Sequence, residues 1–171
     1  DGAALENIRH ALELLVEAHD PFPAYVVNRT WDLQLANSAA AHFTAALLTP
    51  AAALDLGGNI LEMMLHPDGM REHIGNWDQI AAVLVNRLLL DRALAFDGVS
   101  DLPTRSGHPS QSDLIAELEV RVGDQDLRFY TAMMTLSDAS DITVSELRLE
   151  TLLPADRTTE RLLRSLAESR A

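Results

Sequence analysis

The sequence predicts an α+β domain: a five-stranded antiparallel sheet with helices on one face, and a further helix at each end. Three observations predict it. Apolar residues recur at helical spacing over 4–19, 39–48, 60–66 and 77–96, they alternate with polar residues in five short stretches, and proline or glycine punctuates the junctions. The resulting order is helix, two strands, a helical middle, three strands and a helix, which suits an antiparallel sheet with segregated helices.

The first helix, 4–19, carries Leu5, Ile8, Leu12, Leu15 and Val16 on one face and Glu6, Arg9, Glu13 and Glu17 on the other. His19-Asp20-Pro21-Phe22-Pro23 ends it, since proline supplies no amide donor. Either the helix packs on its own domain or it connects to a neighbour or second copy. Tyr25-Val26-Val27 then reads as a strand, Arg29-Thr30-Trp31-Asp32 as a hairpin connection, and Leu33 to Ala36 as the returning strand. Asn37 or Ser38 caps a short helix, Ala39 to Leu48, and Pro50 with Gly57-Gly58 marks a loop. Asn59 caps Ile60 to His66. Asn76, with Gln79 three residues on, resembles a capping box opening a long helix from Trp77 to about Phe96. That helix is apolar on more than one face (Ile80, Val83, Leu84, Leu88), as expected where several elements cover it. Residues 97–113 read as a long loop.

Three strands follow. Leu114, Ala116, Leu118, Val120 and Val122 alternate with Ile115, Glu117, Glu119 and Arg121, Gly123-Asp124 turns the chain, and Leu127 to Leu136 returns. In the third, Ser145 to Leu153, Leu147, Leu149 and Thr151 share one face and Glu146, Arg148 and Glu150 the other. Asp156 caps a last helix bearing Leu162, Leu163 and Leu166, with Arg157, Arg161 and Arg164 on its wet side.

Composition excludes several functions. The 171 residues suit one domain, and 13 Arg against 26 Asp and Glu leave a charge of −13. Such a surface repels phosphate and argues against direct binding of nucleic acid or an anionic membrane. The longest nearly apolar run, Ile80 to Leu90, is too short to span a bilayer and contains Asn86 and Arg87. Without cysteine there is no thiolate catalysis and no Cys-ligated zinc. His66 and His73 are separated by Pro67 and Gly69, which break any helix that would align them on a metal. Ser106, His108 and Asp113 lie within one loop, a poor support for a catalytic triad. Most acidic residues fall on the polar phases of their elements, the pattern of a solvated surface. No metal, cofactor or catalytic residue is expected.

Two stretches carry a resemblance. Residues 23–37, PAYVVNRTWDLQLAN, look like the opening hairpin of a PAS-type sensor, and 141–156, DITVSELRLETLLPAD, are similar to the closing strand and turn of the ligand-binding domain of MmyB-like bacterial transcription regulators. Asn59-Ile60-Leu61 and Asn76-Trp77 fit that family's middle helices. The resemblance implies a PAS-like fold that senses a small apolar, fatty-acid-like ligand within a dimeric, cytoplasmic regulator. Family members carry an N-terminal helix-turn-helix domain, and none precedes Asp1, so DNA would be reached only through that missing module. Residues 1–20 would be a connecting or dimerisation helix and 21–171 the ligand-binding domain.

With aromatics at only 5%, the interior must be built from Leu, Ala, Val and Met. Met63-Met64 and Met133-Met134 supply flexible thioethers that fill irregular gaps or adapt to a guest. A tunnel between the helical middle and the sheet would be lined by Phe43, Leu47, Leu61, Met64, Leu65, Leu84, Leu88, Phe129, Met133 and Leu147, all of which also suit a solid core. A carboxylate head would need a partner such as Arg87 or His42, whose bland alternatives are a solvated Arg and a His bonded to a backbone carbonyl. Two rival functions are a dimerisation module with a filled core and a small cone-shaped α+β enzyme with polar groups converging inside.

Overall fold

A computed structural model describes residues 2–56, 58–94, 117–135 and 147–169. Helix α1 (Gly2–Glu17) leads into strands β1 (Ala24–Val27) and β2 (Leu33–Ala36), then helices α2 (Ser38–Leu47), α3 (Pro50–Asp55) and α4 (Ile60–Leu65). A 3₁₀ turn (Met70–His73), helix α5 (Trp77–Leu94), strands β3 (Glu117–Val122), β4 (Gln125–Thr135) and β5 (Arg148–Pro154), and helix α6 (Arg157–Glu168) complete it. The strands form one antiparallel sheet in the order β2-β1-β5-β4-β3. The first and last strands in sequence thus meet at its centre.

Local chemistry explains the boundaries. Asn37 caps α2 by accepting from the Ala40 amide at 2.9 Å, and Asp156 caps α6 by accepting from Thr159 at 2.8 Å. Asn59 caps α4 in the same way through Glu62. Helix α3 was expected to be loop. Thr49 accepts from the Ala52 amide and Pro50 takes the first helical position, where its missing amide costs nothing, so the proline starts an element instead of breaking one. Asn76 differs from the capping box expected of it. Its Oδ1 accepts from the Glu119 amide and its Nδ2 donates to the Glu117 carbonyl and to Gln79, so it ties the start of α5 to β3.

Each sheet face has its own core. The outer face takes α1: Leu12 and Val16 pack on Ala24, Val26 and Leu149. The inner face lies under α2, α4, the 3₁₀ turn and α5, and buries Tyr25, Val27, Leu118, Phe129 and Leu152 among others. The inner core also takes Trp31, read from sequence as part of an open hairpin connection. Its φ of +69° turns the side chain inward to 2% exposure, and Asn28 holds the turn by accepting from the Thr30 and Asp32 amides.

Candidate functional site

The inner core does not fill its space. A pocket with about 70 Å³ of free room lies between the sheet and the helices above it. A single water needs about 10–15 Å³ by a comparable measure, so several waters or a compact apolar fragment fit, and a longer guest must move the walls. The roof is built by Phe43 and Leu47 of α2, Ile60 and Met64 of α4, and Ile80, Val83 and Leu84 of α5. Met70 and Ile74 close one end with Leu118 and Val120 of the edge strand β3. Gly69 sets the approach of that end to α4: a Cβ there would fall 2.1 Å from the Met63 carbonyl oxygen.

The floor is different. Tyr25, Thr131 and Glu150 line it beside Leu152. Tyr25 and Glu150 are direct cross-strand partners on β1 and β5, while Thr131 pairs with Leu152 on β4, so the three polar residues are neighbours on one face. Burial, above all, pushes the Tyr25 phenol well above its ordinary range, so it stays protonated, and it sits 3.4 Å from both the Ala40 carbonyl and Thr44 Oγ1.

Sequence-predicted residues divide accordingly. Phe43, Leu47, Met64 and Leu84 stand on the pocket wall. Phe129 is fully buried behind it, edge-on to Phe43 at 5.4 Å, and Leu61 and Met133 belong to the surrounding core without lining the space. Leu65, at 41% exposure, is on the surface because α4 turns its last residue outward. Leu147 is corrected outright: it shares its phase with Leu149 and packs on the outer core under α1. The apolar phase of β5 therefore faces away from the pocket, and the phase read as solvated supplies Glu150 to it. His42 is exposed on α2, its Nδ1 2.6 Å from the Ser38 carbonyl, away from the pocket wall. The side chains of Arg87 and Leu88 lie outside the described residues, as do Ser106, His108 and Asp113. Tyr25, Thr131 and Glu150 were missed, and only β5's pairing with β1 could have drawn attention to Glu150.

Among the described residues, no cluster of three or more His, Asp or Glu could hold a metal, and no helix is long and apolar enough to cross a membrane. A family model for the MmyB-like transcription regulator ligand binding domain matches residues 8–166. The chain belongs to that family. This makes it a ligand-binding domain of transcription regulators, which is not a class of enzymes. A solved structure, the PAS domain of Bordetella pertussis BvgS, is similar at 15% identity with a TM-score of 0.41, covering 95% of this chain and 98% of its own. No curated protein matches the chain.

Proposed function

We propose that this ligand-binding domain senses a small, mainly apolar, chain-like effector of the fatty-acid kind, taken into the pocket between the sheet and α2, α4 and α5. The observation that carries the reading is a mainly apolar pocket in the middle of an otherwise buried core, between the sheet and the helices that roof it. A guest larger than the free room parts roof from floor. Strands β1 and β5 then carry the change across the sheet, because Tyr25 and Glu150 face the pocket while their neighbours Val26 and Leu149 hold α1 on the far side. A guest shifts that packing only by its difference in affinity for the two arrangements. The regulator's DNA-binding module would receive the change through α1.

The outer face supports a homodimer. Tyr130, Met134 and Leu153, in phase with Leu149 on the outer face, stand 42%, 52% and 38% exposed, and Leu14 of α1 is 54% exposed. The acidic surface fits a cytoplasmic protein that leaves DNA to another domain. Catalysis is not part of this reading, because the family is one of regulator ligand-binding domains.

Mass spectrometry of an organic extract from the purified protein, with thermal shifts over a panel of apolar compounds, tests the proposal. Leu84→Trp should fill the pocket, abolish the shifts and leave the domain folded. Shifts that survive the tryptophan would move the ligand site elsewhere.

A further inference from the structure

The pocket has one closed end and one that continues along the sheet. Met70, Ile74, Leu118 and Val120 close the side toward β3 with apolar groups alone. On the floor Tyr25 and Glu150 are cross-strand partners, and the next pair of the same phase is Val27 and Arg148, about 7 Å farther along β1 and β5. The Trp31 indole stands beside that second pair. It belongs to the same inner core as Val27, and the Arg148 guanidinium lies 5.9 Å from its ring centroid. The Trp31 carbonyl accepts from the amide of Ile60, a wall residue, so Trp31 adjoins the pocket without lining its free space.

Trp31 is the anomaly of this core. It is almost fully buried, its φ of +69° is one that a bulky side chain rarely adopts, and hydrogen bonds among Asn28, Thr30, Asp32 and Asn59 hold its turn in place. Among the described residues, its Nε1–H is the one buried side-chain donor without a partner. Such a donor has given up its hydration with no return, and an acceptor brought to it recovers that cost on binding. A chain too long for the free room, with its methyl end against the apolar close, extends toward this donor.

We infer that Trp31 Nε1–H is the head-group donor of the pocket, giving its hydrogen bond to a carboxylate oxygen of the acyl ligand while the chain runs over Tyr25 toward β3. This rests on the pocket being the ligand site, and it gives Trp31 a role that sequence alone suggested for Arg87 or His42.

The chain has two tryptophans, Trp31 and Trp77, so isotope labelling shows two indole N–H resonances, which Trp77→Phe assigns. Titration with decanoate should move the Trp31 resonance downfield, as a new hydrogen bond to an anion does, and leave that of Trp77 nearly in place. Decan-1-amine, whose ammonium head has no lone pair to offer, should give no such shift at any concentration. Trp31→Phe keeps an aromatic ring and removes the N–H, so calorimetry should show decanoate binding weakened about tenfold. Decanoate that binds with the Trp31 resonance unmoved, an amine that shifts it as far, or full decanoate affinity in Trp31→Phe overturns the inference. The pocket reading still stands in those cases if Leu84→Trp abolishes binding. If decanoate does not bind, or binds unchanged in Leu84→Trp, the pocket reading falls and this inference with it. The resonances of the unsubstituted chain decide the matter even if Trp31→Phe folds poorly.

Discussion

On the outer face of the sheet, Val16 of α1 meets Ala24, Val26 and Leu149, none more than 2% exposed, and the joint is closed to solvent. On the inner face, mainly apolar side chains with a few polar ones enclose a space. Geometry makes the difference. The outer joint brings one helix onto three adjacent strands, β2, β1 and β5, where small and branched residues let backbones approach and interlock. The inner space is bounded by α2, α4, α5, the 3₁₀ turn and four strands, with a carboxylate on the floor and the unbranched Met64 and Met70 among its walls. Elements meeting at many angles leave a gap that thioethers fill only in part. A closed joint transmits displacement and a hollow one admits a guest, so the two faces suit opposite halves of a sensor.

The largest expected effect would break this comparison directly. Leu149→Ala should cost about 3 kcal/mol, within the usual range for a leucine lost from a close-packed core, because nothing nearby can relax into the cavity. Leu84→Ala, on the wall of an existing space, should cost about 1 kcal/mol less, since atoms facing a void have already forfeited contacts. Denaturant titration of both variants decides it, and equal costs would mean the inner face is as tightly packed as the outer.

Asn76→Ala sharpens the comparison at the roof. Removing the side chain frees the Glu119 amide and the Glu117 carbonyl from α5 and should cost about 1–2 kcal/mol. Hydrogen exchange should quicken at the start of α5 and along β3 while α1 and β1 stay protected. Uniform acceleration would show that the two faces open together.

The smallest effect is acid sensitivity. Hydrogen bonds from Thr30, Asn59 and Asn28 hold Asp32 below its ordinary 3.8, Arg121 does so for Asp126, and the Thr159 amide for Asp156. A depressed folded-state value means the ionised form favours folding. That contribution is whole above the unfolded value and disappears as pH falls through the lower, folded ones. Stability should therefore be flat from neutrality to just above 4 and decline below it. Asp32 braces the turn that carries Trp31 into the inner core, so Asp32→Asn should flatten part of that decline and leave the outer joint unaltered. A decline beginning near pH 6 would point to other groups.

Much of this was legible from residues alone. Period-two and helical spacing located the strands and most helices, and short capping side chains such as Asn37, Asn59 and Asp156 marked where helices begin, because each signal acts within a few residues of its own position. Helix α3 was missed because proline reads as a stop unless the preceding Thr49 is seen to cap. Four of the residues proposed for a tunnel stand on the wall of the pocket, but apolarity could not separate wall from solid core, since both exclude water equally.

What the sequence determined by itself is therefore the local structure, the acidic surface and the kinship to a family of regulator domains. Tertiary structure alone decided which phase of β5 faces which core. A strand's alternation records that two faces differ, whereas which one meets a pocket depends on its neighbours in the sheet. Because the distant strands β1 and β5 pair at the centre, Leu149 closes the joint under α1 and Glu150 reaches the hollow beside Tyr25.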